Sequence, residues 1–371
     1  MDGSLTLLSD PLSPDGADMT FKRVIQRIGE AGKTIEIYMF VWRNDAIGNE
    51  IGRAVLEAAD RGVRIRIKKD RGAIMYERIE MNRKSFFHTE LPPLTKAKFA
   101  VFQPTFPTTF VKDDFDRTVG NQVRDHENVT LDWVSHTHTK YYLFDEEVMI
   151  TGSINIEDRH RMYHDYMVEI TGPSLIRRFR QRDGEGISYD RERPIEFLLN
   201  HRNASPPKFE IKRQLMHSIA EAKETIYVEM AYIGDPEISA ALIAAAGRGV
   251  KVTILFSRKA NIGNDINYRS LHEICRNADV AVHLSDKMLH SKLMLFDGET
   301  VVLGSANISV FSMQKADELD ILVHRSPDFL DAVKATINRR LGDGERFDFR
   351  KPLPRYNRVI ASLQQLHQRL T

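Results

Sequence analysis

The 371-residue sequence has little of several features that would assign it to a particular class of protein. Its single cysteine, Cys275, excludes an intramolecular disulfide and a cysteine cage for zinc. It has no run close to the ~20 consecutive apolar residues that a helix needs to cross a bilayer. Lys and Arg number 53 against 52 Asp and Glu, so a polyanionic partner would require a local basic patch.

The first residues also lack the pattern of a secretory signal. Four aspartates and no Lys or Arg precede Lys22, so neither a positively charged start nor an apolar stretch is present. Together with the single cysteine, this predicts a cytoplasmic protein. Peripheral attachment to the cytoplasmic membrane is an open alternative.

The sequence does contain an internal duplication, and its length suits two domains better than one core. Residues 33–67 resemble residues 224–255, and both copies predict a strand, a turn, an Ala-rich helix and a second strand. Gly62 and Gly249 follow the helix in the matching tripeptide Arg-Gly-Val and predict its end. This alternation predicts an α/β protein of two tandem α-β-α units whose central sheets are mainly parallel.

The predicted boundaries follow from the repeat. The first unit spans 1–173 and includes an insertion within about 74–133, where the two copies diverge. Residues 174–207 are highly charged and predict a helix followed by a linker. The second unit spans 208–345, and 346–371 predict a final helix. Its apolar residues Val359, Ile360, Leu363, Leu366 and Leu370 have helical spacing, and we expect them to dock on the second unit rather than on a membrane.

Each copy also contains the same polar motif. His138, Lys140 and Asp145 in the first copy correspond to His290, Lys292 and Asp297 in the second. In both copies six residues separate the Asp from a Gly-Ser-x-Asn segment, which contributes Ser153 and Asn155 or Ser305 and Asn307. His and Lys two positions apart share one face of a strand, and the Asp begins a hairpin turn that returns Ser and Asn beside them.

These residue types suit chemistry at a phosphodiester. Imidazole acts as a nucleophile or as an acid and base near neutral pH, while ammonium and amide groups donate to phosphoryl oxygens. Such a site needs no metal. A metal site formed by His136 and His138 on a shared strand face is a weaker alternative, because no third ligand is evident and Lys140 would repel a cation.

The doubled His-x-Lys-x4-Asp motif with its Gly-Ser-x-Asn segments resembles the phospholipase D superfamily. The resemblance implies two units related by a pseudo-twofold axis, one shared active site and no cofactor. It implies that His138 attacks phosphorus and that His290 acts as the acid. Asp165 and Glu318 follow the motif histidines by 27 and 28 residues and are implied to orient them. Asp145 and Asp297 are part of the implied catalytic motif, although we expect them to stabilise the strand and the turn.

Within that superfamily the chain most resembles the branch of cardiolipin synthases and bacterial phosphatidyltransferases. The resemblance lies in residues 37–67, in GSINIEDRHRMYHDYMVEITGP and in the segment from Asn307 to Asp320. Thr139 and Ser153 depart from the branch, which often has Arg and Gly there. A phospholipid is therefore the expected partner, and no obligate protein partner is evident. Phosphatidyl transfer and hydrolysis both remain open.

An endonuclease acting on nucleic acid is the alternative function. The near-zero net charge argues against it, because affinity for nucleic acid depends on neutralising phosphates. The insertion is compatible with several functions, since it combines phenylalanines, Phe86 and Phe87 among them, with prolines and lysines. Packing of these phenylalanines onto the core is one interpretation. Phe102, Phe106 and Phe110 would suit a membrane-facing or substrate-binding loop, base stacking, or simple packing of a long loop.

Overall fold

The computed structural model describes residues 3–10, 18–81, 85–102, 118–185, 193–261, 264–349 and 351–370. The contacts between residues divide the chain into two compact units, Met1–Gly186 and Ile187–Thr371. Each unit has its own large sheet and its own cluster of buried apolar side chains. The α/β fold class and the two units are therefore as predicted.

The first unit contains seven strands among its described residues, arranged in the order β1-β7-β6-β5-β2-β3-β4. Its strands are β1 (Ser4–Ser9), β2 (Thr34–Met39), β3 (Arg64–Asp70), β4 (Val129–Val134), β5 (Tyr141–Phe144), β6 (Val148–Gly152) and β7 (Tyr166–Thr171). Its helices are α1 (Thr20–Glu30), α2 (Ala46–Asp60), α3 (Ala73–Met81), α4 (Pro93–Phe102), α5 (Thr118–Asp125) and α6 (Pro173–Glu185).

The second unit has a sheet in the order β16-β12-β11-β10-β13-β14-β15-β8-β9. Its strands are β8 (Ile195–His201), β9 (Lys208–Phe209), β10 (Thr225–Met230), β11 (Lys251–Ser257), β12 (Ala281–Ser285), β13 (Lys292–Phe296), β14 (Thr300–Gly304), β15 (Glu318–His324) and β16 (Glu345–Arg346). Its helices are α7 (Glu210–Glu221), α8 (Pro236–Gly247), α9 (Asn264–Asn277), α10 (Val310–Gln314), α11 (Pro327–Asp343) and α12 (Arg358–Leu370).

The two sheets share one topology. Reading the first sheet from β4 to β1 gives the same sequence of equivalent strands as reading the second from β12 to β8. The short strands β9 and β16 are additions at the edges of the second sheet. The internal duplication seen in the sequence is thus a duplication of the fold.

The prediction of mainly parallel sheets is wrong. Among the described ladders, parallel pairing joins β2 to β3, β3 to β4, β10 to β11 and β11 to β12. The remaining ladders are antiparallel, including β2 with β5 and β10 with β13. The reason is that the strand-helix-strand repeat supplies only half of each sheet. The motif hairpins and the strands after them supply the other half, and a tight hairpin joins antiparallel strands.

The stretch 174–207 contains more structure than a helix and a linker. Helix α6 matches the predicted helix, but β8 lies where the linker was expected and pairs antiparallel with β15. Its residues from Ile195 to Asn200 are all buried. The charged and turn-forming residues on both sides concealed this short strand in the sequence.

Each motif hairpin is fastened to the strand beside it by the aspartate of the motif. Asp145 lies in the β5–β6 turn with a left-handed backbone, φ 52°, and its carboxylate accepts hydrogen bonds from the N–H groups of Gly32, Lys33 and Thr34, each at 2.8 Å. Asp297 has φ 50° and accepts from the backbone of residues 223–225 at 2.8–3.0 Å. Burial opposes ionisation, but these donors hold the pKa of both carboxyls below the usual value.

Asp145→Asn is expected to destabilise the first unit by about 1–3 kcal/mol, because one charged acceptor of three backbone N–H groups is lost. Asn tolerates the left-handed backbone, so the change isolates the carboxylate. A carboxyl whose pKa is lower in the folded state stabilises the fold above its unfolded-state pKa. This stabilisation is lost as the pH falls through the folded-state pKa. The difference from wild type should therefore shrink below about pH 4.

Urea denaturation followed by tryptophan fluorescence measures this effect selectively, since Trp42 and Trp133 both lie in the first unit. Glu299→Gln, at the exposed turn of the second unit, is the control and should leave the transition unchanged. An Asp145→Asn transition that coincides with wild type at pH 7 would contradict the anchoring role.

Candidate active site

In the first unit the motif His and Lys lie immediately before β5. Both side chains are buried, and the Lys140 ammonium donates to the carbonyl oxygen of His138 at 2.6 Å. The Phe40 ring lies against both: its centroid is 4.8 Å from that of the His138 ring and 5.4 Å from Lys140 Nζ. The strand begins only at Tyr141, so the motif occupies the approach to the strand rather than its interior.

His136 does not share a face with His138. Its backbone has φ 62° and its side chain is exposed, whereas His138 is buried. The shared strand face on which a metal pair was considered is therefore absent, because residues 135–140 are not a regular strand.

The returning strand β6 delivers Ser153 and Asn155. The Ser153 hydroxyl donates to Asp165 and to the carbonyl oxygen of Tyr166, the latter at 3.2 Å. Asn155 Oδ1 accepts from the N–H of Val41 at 3.3 Å, two residues beyond the end of β2. Both side chains are buried. The serine and the asparagine are thus fixed by contacts to two different segments, the start of β7 and the residues that follow β2.

Gly152 makes this arrangement possible. A Cβ at this position would lie 2.7 Å from the carbonyl oxygen of Tyr166 and 2.9 Å from the Cα of Met167. Its φ of 156° is also one that side chains rarely adopt. The close approach of β6 to β7 lets Ser153 reach Asp165, so the glycine is required by the geometry of the site.

The structure adds a histidine that the sequence reasoning missed. His160 is fully buried in a short 3₁₀ helix, Asp158–Met162, where its Nδ1 lies 2.6 Å from Asp165 Oδ2 and its Nε2 lies 2.7 Å from Glu157 Oε1. Glu157 is also held by Arg43, with Nε at 2.5 Å. The available signal was the cluster of charged and histidine residues between Asn155 and Asp165, which has no counterpart in the second copy.

Two carboxylates on one imidazole favour its protonated form. Burial by itself lowers the pKa of His160, but the charge of Glu157 and the hydrogen bonds of Asp165 and Glu157 raise it overall. The pKa of Glu157 is held well below its usual range, against the effect of burial, by Arg159, Arg43 and His160. The predicted orienting residue Asp165 therefore belongs to a buried charged network in the first unit.

In the second unit His290 and Lys292 have the same relation. The Lys292 ammonium donates to the carbonyl oxygen of His290 at 2.5 Å and lies 3.2 Å from each ring nitrogen of that histidine. Ser305 donates to Glu318 Oε2 at 2.5 Å and accepts from the N–H of Leu319 at 3.0 Å. Asn307 is buried as well. Each unit therefore builds the same His, Lys, Ser, Asn and carboxylate set.

The surroundings of the two predicted orienting carboxylates differ. Opposite Gly304 the second unit has Asp320, whereas the first unit has Met167 opposite Gly152. Burial, and after it the nearby charge of Glu318, raises the pKa of Asp320 to about 8, although backbone donors act in the other direction. Glu318 thus has a protonatable carboxyl as neighbour, whereas Asp165 has an imidazole.

The structure does not bring Asp145 or Asp297 to the motif histidines. Strand β5 separates Asp145 from Lys140, and four strand residues span about 13 Å. The same separation holds for Asp297 across β13. Both aspartates act at the far end of the hairpin, which corrects their inclusion in the catalytic set.

The phenylalanines of the insertion fall into two groups. Phe86 and Phe87 are buried, and Phe86 stacks on Trp42 with ring centroids 4.8 Å apart. For these two residues the packing interpretation is confirmed. Phe102 is the last residue of α4, and its side chain is outside what the structure describes. Phe106 and Phe110 lie outside the described residues.

Comparison with known families identifies the fold and its motif. The family described as "Cardiolipin synthase, PLD-like domain" matches residues 24–182 and again residues 215–341. The chain belongs to this family. The predicted resemblance to the phospholipase D superfamily is therefore confirmed, and each matched segment carries one copy of the motif.

Individual relatives of this phospholipase D-like chain are distant. Cardiolipin synthase A of Proteus mirabilis is 24% identical over 329 residues, which cover 81% of this chain and 63% of that protein. Cardiolipin synthase B of Escherichia coli K12 is 22% identical over 335 residues, covering 84% and 75%. The chain thus spans less than two thirds of the Proteus relative.

Among solved structures, phosphatidylserine synthase of Haemophilus influenzae has a TM-score of 0.67 at 12% identity, covering 100% of this chain and 93% of that one. Polyphosphate kinase of Porphyromonas gingivalis has a TM-score of 0.54 at 12% identity, covering 99% and 56%. At these identities the likeness establishes the fold alone. No helix in the described part of the chain is long and apolar enough to span a membrane.

Replacing His160 tests the buried network. His160→Gln should destabilise the first unit by about 3 kcal/mol or more, because Asp165 and Glu157 would remain buried without their shared cation. A histidine whose pKa is raised above 6.5 in the folded state stabilises the fold fully below pH 6.5, and this stabilisation disappears as the pH rises through the folded-state pKa. The destabilisation caused by His160→Gln should therefore be largest near about pH 6 and smaller near about pH 9.

The same tryptophan fluorescence assay provides the measurement. His126→Gln is the matched control in the first unit, because its imidazole contacts the exposed Asp60 rather than a buried pair. A His160→Gln effect equal to that of the control, or one that grows with pH, would show that His160 is not held as an imidazolium.

Proposed function

We propose that the chain is a metal-independent phosphatidyltransferase that acts on glycerophospholipids through a phosphohistidine intermediate. The observation that carries the proposal is the doubling of the half-site. One chain supplies two histidines, and each has a Lys ammonium bound to its own carbonyl oxygen. Two histidines in one site can divide nucleophilic and acid-base work between them.

In the first step His138 attacks the phosphorus of the lipid and forms a phosphorus–nitrogen bond. The bond between phosphorus and the head-group oxygen breaks, and His290 gives its proton to that oxygen. The products are a phosphatidyl group on His138 and a free head-group alcohol. His290 is left neutral and ready to act as a base.

In the second step His290 takes the proton of an acceptor alcohol. The alcohol oxygen bonds to phosphorus, and the phosphorus–nitrogen bond breaks with its electron pair returning to His138. With an alcohol the product is a new phosphatidyl ester, and with water it is phosphatidic acid. The family of the chain favours an alcohol as acceptor.

The buried cations and amides suit the charge that develops in both steps. Lys140 and Lys292 are buried ammonium groups next to the two histidines, and Asn155 and Asn307 add amide donors. Donors fixed in a site of low dielectric stabilise a phosphoryl transition state without reorganising. Asp165 and Glu318 would orient the histidines, since each is itself fixed by a serine hydroxyl.

Product analysis by mass spectrometry tests the reaction. The purified protein, in EDTA, is incubated with phosphatidylglycerol vesicles, and in parallel with added ethanol. Cardiolipin or phosphatidylethanol is expected, and His138→Ala or His290→Ala should lower the rate by at least about 10²-fold. His217→Gln, on helix α7, is the control and should retain full activity.

Other products would change the conclusion. Phosphatidic acid alone would make the protein a hydrolase. Loss of activity in EDTA, or substantial activity in either alanine variant, would contradict the mechanism. Cleavage of single-stranded DNA with untouched lipid would favour the nuclease alternative, which the near-zero net charge disfavours.

A substrate with a good leaving group separates the roles of the two histidines. A phosphatidyl ester of p-nitrophenol needs no proton to lose its phenolate. His290→Ala should therefore release about one equivalent of p-nitrophenol in a burst and then stall as a covalent adduct, whereas His138→Ala should show no burst. Intact-protein mass spectrometry detects the adduct. A burst in His138→Ala alone would reverse the roles.

A further inference from the structure

Helix α12 packs on the second unit with an unexpected face. Ala361 is fully buried, and Gln364 is buried with its Oε1 accepting from the N–H of Ile266 at 3.2 Å. Next to it, Gln365 Oε1 accepts from Arg269 at 3.0 Å. The helix is therefore held on α9 by a small residue and by glutamine side chains.

Three large apolar residues of α12 lie on the opposite side. Val359, Leu363 and Leu366 are 68%, 39% and 46% exposed. Their spacing of four and three residues places them in one stripe along the helix. The predicted docking of the helix on the second unit is confirmed, but Val359, Leu363 and Leu366 point away from the unit rather than into it.

Such an orientation is contrary to the usual one, in which the apolar stripe faces the core. Exposing three aliphatic side chains aligned on one face of a helix to water is unfavourable. Burying the glutamine side chains is also less favourable than leaving them in water. Scattered exposed apolar residues need no explanation, whereas an aligned stripe on an inverted helix indicates a surface that is covered by a partner.

The charge around α12 indicates the chemistry of that partner. Residues 346–371 contain five arginines and one lysine against a single aspartate, although the whole chain has a net charge of only +1. Lys351, Arg355, Arg358 and Arg369 are exposed. A basic helix with an exposed apolar stripe matches a bilayer surface that contains anionic lipid. A second copy of the chain fits less well, because two such basic segments would repel each other.

We propose that the stripe of Val359, Leu363 and Leu366, with its flanking basic residues, is the surface by which the protein binds an anionic membrane. The stripe enters the acyl boundary, and the arginines contact the anionic head groups. The inference deepens the proposed function and rests on it for the choice of lipid as partner. It would bring the enzyme to the membrane that contains its substrate.

Vesicle flotation tests the proposal with the full chain. Wild type should float with vesicles of phosphatidylglycerol and phosphatidylcholine, and less so with phosphatidylcholine alone or in high salt. The variant Val359→Gln/Leu363→Gln/Leu366→Gln should lose roughly tenfold or more in vesicle affinity. Lys351→Glu/Arg355→Glu/Arg358→Glu should lose binding to anionic vesicles in the same way.

The control carries the same kind of substitution elsewhere. Leu94 and Val101 on α4 are each 70% exposed, and Leu94→Gln/Val101→Gln should bind vesicles like wild type. Stripe variants that bind like wild type would overturn the proposal, as would binding that depends on α4 alone. Stripe-dependent dimers without vesicles, seen by sedimentation, would assign the surface to a second copy instead.

A soluble substrate separates this proposal from the proposed function. Short-chain phosphatidylglycerol below its micelle concentration needs no membrane binding, so the stripe variant should turn it over at the wild-type rate. That result also shows that the variant is folded. If no form of the protein turns over lipid but flotation still depends on the stripe, the membrane-binding proposal is supported and the proposed reaction is contradicted.

Discussion

The aspartate at each motif hairpin fixes the register on which the rest of the site depends. A shift of one residue in β5 or β13 would turn every side chain of the strand to the other face, and the following serine and asparagine would no longer meet their partners. Three backbone N–H groups converge on each of Asp145 and Asp297, so the hairpin is tied to the neighbouring strand at its far end. The most distant residue of the motif therefore secures the position of its His, Lys, Ser and Asn.

The sequence allowed good prediction of whatever the two copies share. The hairpins, the helix ends at Gly62 and Gly249 and the two-unit fold follow from local patterns that occur twice. Pairing between distant segments was harder to predict. Strand β8 is recognisable by its pairing with β15 and β9 rather than by its own sequence. The sheets are mixed because the motif hairpins add antiparallel strands to one side of the strand-helix-strand repeat. The orientation of α12 could not be predicted either, since hydrophobic spacing gives the face of a helix but not what that face contacts.

The site was predictable to the same extent. His138, Lys140, Ser153 and Asn155 have counterparts in the second unit, and their joint occurrence indicated chemistry. His160 has no counterpart, and a histidine in a charged loop gives no signal of its own until Glu157 and Asp165 are seen on its two ring nitrogens. Asp320 was equally hidden, because its environment comes from burial and from the adjacent Glu318 rather than from any motif.

These two unshared residues make the half-sites electrostatically unequal. Asp165 lies against the His160 imidazole, whose pKa is raised, whereas Glu318 lies near the Asp320 carboxyl, whose pKa burial raises to about 8. Two identical half-sites would give their histidines the same proton affinity, and a two-step transfer needs one histidine neutral and the other protonated at the same pH. Environments that push the pKa values of two titratable groups apart are a general means of making one group the acid and the other the base. The two half-sites therefore share their motif residues but differ in the groups beside their carboxylates, and the proposed reaction requires an inequality of this kind.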